Sequence, residues 1–402
     1  MTVQTTPGRD VTGDVSHLLC RSCGGSAGSV FYERSQVPVH NSLVCRSRQD
    51  ATAVPRGDLR LSVCTACGFV QNSAFDPSLV EYADDYEDTQ ANSQQFLAFV
   101  EDVAHHLDEI YNLAGRQVVE IGCGSGDFLS LLCGRTLARG TGYDPALRAG
   151  AITPDDRVRF VRSAYPPASG HPPAELIVCR HTLEHVPDVA GFVEMVAEAN
   201  APVFFEVPDT GRILDEGAFW DVYYEHCSYF TASSLQDLFT RKGFSVTGLR
   251  SGYDDQYLLL DATSGGSATR RRSGEAIANS EAADAAARCG EFTEKVRARI
   301  DSWNEYLEGV VDRGEKAVLW GGGSKAVSFL ASVDHPEAID CVVDINPAKW
   351  DAFLPGTGHR IVAPSELDDL PPSTVILMNP VYTQEITEDL HKRGLSPTVL
   401  GL

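Results

Sequence analysis

The stretch Phe219-Trp220-Asp221-Val222-Tyr223-Tyr224-Glu225-His226-Cys227 places two tyrosines, a carboxylate and an imidazole side by side. Thr231-Ala232-Ser233-Ser234 follows and reads as the cap of a helix over Leu235–Lys242. Polar and titratable groups crowded ahead of a capped helix are not a core pattern. Imidazole titrates near neutrality, so His226 suits general-base work. A neighbouring carboxylate, here Glu225, can orient such a ring and raise its pKa, and a tyrosine hydroxyl can donate to an oxyanion. The alternative is a histidine that only caps structure.

A second stretch, Val118-Val119-Glu120-Ile121-Gly122-Cys123-Gly124-Ser125-Gly126-Asp127-Phe128-Leu129, reads as a buried strand, a sharp turn and a helix. Glycines there let a ligand approach the backbone, and the following helix start offers free N–H groups. Asp144, in Gly142-Tyr143-Asp144-Pro145, is expected at the end of the next strand, where a carboxylate can bind a ribose diol. A Gly-rich turn alone suits NAD, FAD or S-adenosylmethionine (SAM), or serves only tight packing. Glu120-x-Gly122-x-Gly124-x-Gly126 with Asp144 one βα unit later resembles the class I SAM-dependent methyltransferases.

Four of the 11 cysteines form two Cys-x-x-Cys pairs, Cys20/Cys23 and Cys64/Cys67, each followed by a glycine. Such pairs can give Zn²⁺ four thiolates, and a closed Cys₄ shell is structural because it leaves no open position. A redox pair or coincidence is the alternative; Cys45 between the pairs is expected to be a bystander. The formal charge, 33 minus 56 or −23, excludes the basic footprint of a nucleic-acid binder. No apolar run has the length of a membrane span, and Met1–Asp14 reads as a polar tail without a signal core, so cytoplasmic residence is expected.

These elements must be positioned by a chain long enough for several domains. We expect an α/β protein: a zinc module over 1–75, a methyltransferase domain over 76–262 with a lid or linker at 76–95, a linker and long helix over 263–312, and a second Rossmann-like domain over 313–402. Within 76–95, Tyr82 or Tyr86 either sits in a solvated loop or folds over the cofactor. The Gly/Ser-rich and basic run Thr263–Ser273, with Arg270, Arg271 and Arg272, reads as a flexible linker. Gly321-Gly322-Gly323-Ser324-Lys325 is a second Gly-rich turn, where Lys325 could meet phosphate.

The Tyr223-x-Glu225-His226 segment, together with the zinc module and the C-terminal Asp344-x-x-Pro347-x-Lys349 and Leu354-Pro355-Gly356-Thr357, resembles the bacterial C-methyltransferases that act on nucleotide-linked ketosugars. The resemblance implies His226 as the base that enolises a ketosugar, assisted by Glu225 and Tyr223, with Tyr224, Lys325 and Asp344 at the substrate. It implies that Arg180-His181-Thr182-Leu183-Glu184-His185 closes the site, with His181 near the methyl transfer and Glu184 and His185 supporting the loop. It also implies Ala164 near the adenine, alongside Glu120, Gly122, Gly124, Gly126, Asp144 and Tyr86 as cofactor contacts. SAM and a structural Zn²⁺ are the cofactors, and a nucleotide-sugar is the expected partner. The turn Gly321–Ala326 and the segment Met378-Asn379-Pro380-Val381-Tyr382 depart from the family pattern where substrate is expected. Methylation of another small metabolite, at carbon, oxygen or nitrogen, and a non-catalytic SAM-binding scaffold are the other readings.

Overall fold

The computed structural model describes residues 18–26, 28–80, 86–87, 89, 92–147, 156–265 and 279–402. The N-terminal tail, Tyr82, Arg270–Arg272 and the linker's 266–273 lie outside the described residues.

The chain opens with the antiparallel strands β1 (Ser29–Pro38), β2 (Arg56–Val63) and β3 (Val70–Asn72), with the short helix α1 (Arg48–Thr52) between the first two. Helix α2 (Gln94–Tyr111) starts where the Ser93 side chain accepts the Phe96 N–H. It buries Phe96, Val100, Val103 and Leu107, the helical stripe seen in the sequence. It ends at Asn112, whose φ of 48° is left-handed.

Next come β4 (Gln117–Ile121), α3 (Asp127–Thr136), β5 (Arg139–Tyr143), β6 (Val158–Val161), β7 (Leu176–Arg180), α4 (Val189–Glu198), β8 (Val203–Pro208) and α5 (Thr210–Glu216). The two-residue strand β9 (Ser228–Tyr229) precedes α6 (Ala232–Arg241), which Thr231 and Ser234 start with a reciprocal capping box. The hairpin β10 (Phe244–Gly252) and β11 (Tyr257–Ser264) completes a seven-stranded sheet ordered β10-β11-β8-β7-β4-β5-β6. Strands β8 to β6 along that order are parallel, and the hairpin is antiparallel to them. β7 is buried at every position, as parallel strands covered on both faces must be.

Helix α7 (Asn279–Asp312) leads to β12 (Ala317–Trp320), α8 (Ser324–Leu330), β13 (Ile339–Val343), β14 (Ile361–Val362), β15 (Thr374–Leu377), α9 (Thr383–Lys392) and β16 (Thr398–Gly401). These strands form an all-parallel sheet ordered β14-β13-β12-β15-β16.

The N-terminal sheet is completed from afar. β9 pairs antiparallel with β3, Val70 against Tyr229 and Gln71 against Ser228. One buried cluster joins Tyr32, Leu59 and Leu61 to Phe292 of α7 and Phe329 of α8. Another joins the four paired cysteines and Phe69 to Phe205 and Phe230 of the central domain.

Candidate active site between two glycine turns

The carboxyl ends of β4, β5 and β7 and those of β12 and β13 open onto one cleft of about 720 Å³, a volume suited to a cofactor and a small substrate. The turn after β4 is built as its sequence suggests, but its glycines do different jobs. Gly122 (φ 72°) and Gly126 (φ 85°) are closely packed: a Cβ would lie 2.0 Å from Thr182 Oγ1 or 2.3 Å from the Phe160 ring. Gly124 (φ 52°) has no atom within 4 Å of where its Cβ would be. It is the glycine that faces open space. Its N–H donates to Asp144 Oδ2 at 2.9 Å, and Ala146 N–H donates to Oδ1 at 2.7 Å. Asp144 is thereby held at the cleft edge.

Glu120 is buried behind this turn, with Oε2 lacking a hydrogen-bond partner. Burial raises its pKa to about 8, against the pull of Arg180. Tyr86 lines the cleft, as a cofactor contact would. Ala164 does not: it is exposed beyond the end of β6 and outside the cleft lining.

At the end of β7, Arg180 makes a bidentate contact with Glu206, at 2.8 and 3.0 Å, and stacks over Phe128. His181 follows with φ 47°, a left-handed conformation that aims its ring at the cleft. Its Nε2 is 2.7 Å from Glu206 Oε1, and its Nδ1 is 3.8 Å from Glu184 Oε1. Burial would lower the His181 pKa, but Glu206 and Glu184 outweigh it and raise it to about 9. The two carboxylates favour the cationic form of His181, which suits stabilising negative charge rather than taking a proton.

The opposite behaviour appears at His226. Burial and the neighbouring His185 and His181 push its pKa well below the usual value, leaving a neutral ring. Tyr223 packs on it with centroids 4.1 Å apart, and His185 meets it edge-on at 4.8 Å. Burial also raises the Tyr223 pKa far above its usual value, which keeps its hydroxyl a proton donor.

Two sequence expectations change here. Glu225 does not orient His226 or raise its pKa. Its Oε1 accepts from the Tyr86 hydroxyl at 2.5 Å, its Oε2 accepts from the Asn41 N–H at 3.3 Å, and His40 Nδ1 lies 3.6 Å away. Adjacent residues in an irregular segment point in different directions, so sequence neighbours need not be partners. Tyr224 turns away from the cleft. Its hydroxyl accepts from the Asp76 N–H at 2.8 Å, and its ring lies so close to Gly57 that a Cβ there would be 2.2 Å away.

The second glycine turn repeats the first. Gly322 N–H donates to Asp344 Oδ2 at 2.8 Å, and Asn346 N–H donates to Oδ1 at 2.8 Å. Lys325 faces the cleft, but Asp221 holds it at 2.9 Å and Gln256 Oε1 accepts from it at 3.2 Å. Gln256 in turn exchanges hydrogen bonds with Asn379 at 3.1 and 3.2 Å, joining the two walls. Asp221 and Gln256 were not singled out from the sequence, and Asn379 entered only within the segment Met378–Tyr382. Amide partners carry no motif, and only Asp221's place beside Tyr223 hinted at a role.

Residues 92–249 match the family model of a methyltransferase domain, and residues 262–394 match that of a C-methyltransferase C-terminal domain. The chain is a SAM-dependent methyltransferase. It is similar to C-methyltransferase NovU of Streptomyces niveus, 26% identical over 294 residues that cover 68% of this chain and 69% of that one. Among solved structures it is similar to the magnesium protoporphyrin IX methyltransferase of Synechocystis with bound S-adenosylhomocysteine. That match has TM-score 0.36 and 16% identity, over 45% of this chain and 91% of that one. The 1,6-didemethyltoxoflavin-N1-methyltransferase of Burkholderia thailandensis matches with TM-score 0.35 and 16% identity, over 42% of this chain and 78% of that one. SAM is the cofactor of this methyltransferase, and the open Gly124, the fixed Asp144 and the unpartnered Glu120 oxygen fit it.

Away from the cleft, Cys20, Cys23, Cys64 and Cys67 are buried together, with all four Sγ atoms within 4.8 Å of one another. Cys20 and Cys67 are 3.7 Å apart, and Cys23 and Cys64 are 3.6 Å apart. Tetrahedral Zn–S bonds of about 2.3 Å place sulfurs about 3.8 Å apart, so the cluster fits the ion. No helix among the described residues is long and apolar enough to cross a membrane.

Proposed function

We propose that this methyltransferase transfers a methyl group to carbon on a nucleotide-linked ketosugar, in deoxysugar or natural-product biosynthesis. The carrying observation is His226: a buried imidazole packed against Tyr223 in the same cleft as both glycine turns. Its lone pair takes the proton next to the ketone, and the carbon becomes nucleophilic. The Tyr223 hydroxyl donates to the ketone oxygen as charge develops there, and the His181 cation lies in the same cleft to offset that charge. Bound SAM supplies the activated methyl group. Likeness to a C-methyltransferase over two thirds of the chain supports carbon as the acceptor.

In the same reading, Asp144, Gly124, Glu120 and Tyr86 serve the cofactor. Asp344 and Lys325 serve the far end of the substrate. Cys20, Cys23, Cys64 and Cys67 hold a structural Zn²⁺. The chain divides functionally into 1–75, 76–262 and 313–402, with 263–312 linking the last two.

A second reading is methylation of a different small metabolite. One observation favours it: Asp221 already engages Lys325, the cation expected to meet phosphate.

The test is turnover with SAM across dTDP- and UDP-ketosugars, together with solvent deuterium exchange next to the ketone without SAM. His226→Ala should abolish exchange and lower turnover by about 10²- to 10⁴-fold with SAM binding retained. Near-normal turnover in His226→Ala defeats the base assignment. Neither exchange nor methylation across the panel favours the second reading.

A further inference from the structure

The loop after β7 and the loop before β9 are sewn together. Cys227 N–H donates to the Glu184 carbonyl at 3.0 Å, and Ser228 Oγ donates to the Val186 carbonyl at 3.1 Å. These two bonds bring Glu184 and His185 of one loop to His226 of the other. One nitrogen from each histidine and one carboxylate oxygen of Glu184 all lie within 4.8 Å of one another. All three residues line the cleft. The Glu184 side chain is only 2% exposed, and its Oε2 has no hydrogen-bond partner, while Oε1 faces His181 at 3.8 Å. Leaving a buried carboxylate oxygen without a donor is costly, and a cation removes that cost.

We infer that Glu184, His185 and His226 form a second metal site, for a divalent transition ion of the zinc class, whose occupation switches the enzyme off. Two imidazoles and one carboxylate are a donor set such ions favour, and hard ions such as Mg²⁺ favour less. Bonds of about 2.0–2.2 Å place ligand atoms roughly 3.3 Å apart, so the three side chains need close by only an ångström or so. The site differs in kind from the Cys₄ cluster. Three protein ligands leave a position open to the cleft, whereas four thiolates close the shell.

Occupation consumes the His226 lone pair. A metal-bound imidazole cannot also take a proton from substrate. The loss of turnover rests on the reading of His226 as base; the binding of the ion does not.

The experiment uses the full chain as purified, with zinc already in the Cys₄ cluster. Co²⁺ and Zn²⁺ are titrated against a chromophoric chelator, and the d–d spectrum of bound Co²⁺ reports its ligands. We expect one further equivalent with micromolar affinity and a nitrogen/oxygen rather than thiolate spectrum. His185→Asn and Glu184→Gln should each weaken that equivalent by about tenfold or more, with the Cys₄ metal and the melting temperature unchanged. His185 is only part-buried, which makes His185→Asn the variant better placed to fold. Turnover should fall as the second equivalent fills and return on adding a weak chelator that spares the Cys₄ metal. The site is overturned if no second equivalent binds below about 100 μM, or if both variants bind it as tightly as the parent. A filled site with unchanged turnover overturns the switch. Failure of the base reading is seen separately, as metal-free His226→Ala turning over normally.

Discussion

The hydroxyl of Tyr86 lies 2.5 Å from Oε1 of Glu225, so the carboxylate beside the proposed base belongs to the segment ahead of α2. Glu225 is 1% exposed, and this bond with that from the Asn41 N–H ties the N-terminal segment to the loop that carries His226. Tyr86→Phe and Glu225→Gln should then act on the same step. Each should lower kcat by about tenfold, less than His226→Ala, and the double variant should be little worse than either single one. A double-mutant cycle on kcat checks this; additive losses would mean that the two residues work independently.

The glycines of the first turn separate packing from binding. Gly122→Ala drives a Cβ into Thr182 at a positive φ, so it should destabilise the fold by several kcal/mol. Gly124→Ala meets no protein atom, so it should cost about 1–2 kcal/mol from backbone strain alone while weakening SAM severely. Thermal melts and SAM titrations on both variants make the comparison.

Glu120 couples SAM binding to pH. Its pKa of about 8 in the free protein means that the carboxyl is mostly protonated at pH 7. A cationic cofactor favours the ionised form, so binding should release a proton, and affinity should rise with pH up to about 8 and then level off. The steepest slope is about tenfold per pH unit. Titration calorimetry in buffers of different ionisation enthalpy measures the proton, and Glu120→Gln should remove it.

Removing the proposed zinc should reach the proposed active site although the thiolates lie outside the cleft. The Gln71 side chain accepts from the Arg21 N–H at 2.9 Å, and Asn72 N–H donates to the Cys227 carbonyl at 3.1 Å, one residue past His226. Cys64→Ser or chelation should therefore lower kcat by about tenfold or more before SAM affinity changes. Parallel metal analysis, SAM titration and turnover decide it; SAM affinity falling first would point to general unfolding.

The strand–turn–helix at Val118–Leu129, the paired cysteines, the α2 stripe and the second parallel sheet are legible in the chain because each is local. Helical and strand periods, glycine turns and Cys-x-x-Cys spacing all act within a few residues. What was hidden is long-range or directional. The pairing of β3 with β9 joins segments far apart in sequence, and a two-residue strand carries no period. The opposite orientations of Glu225 and His226, and the burial of Tyr224 against Gly57, depend on side-chain directions in an irregular segment that no spacing rule describes. Glu184 and His185 read as loop support until the fold laid their loop against His226.

Residues near the N-terminus contribute to two cores at once: Tyr32 and Leu61 pack toward α7 and α8, and Phe69 packs on Phe230 at 5.3 Å. A fragment cut at residue 75 would expose apolar faces on both sides of the break. Domain shuffling between relatives should therefore fail at that seam unless the Phe69 and Tyr32 contacts travel with it, so a chimera must inherit the first segment together with both of its neighbours.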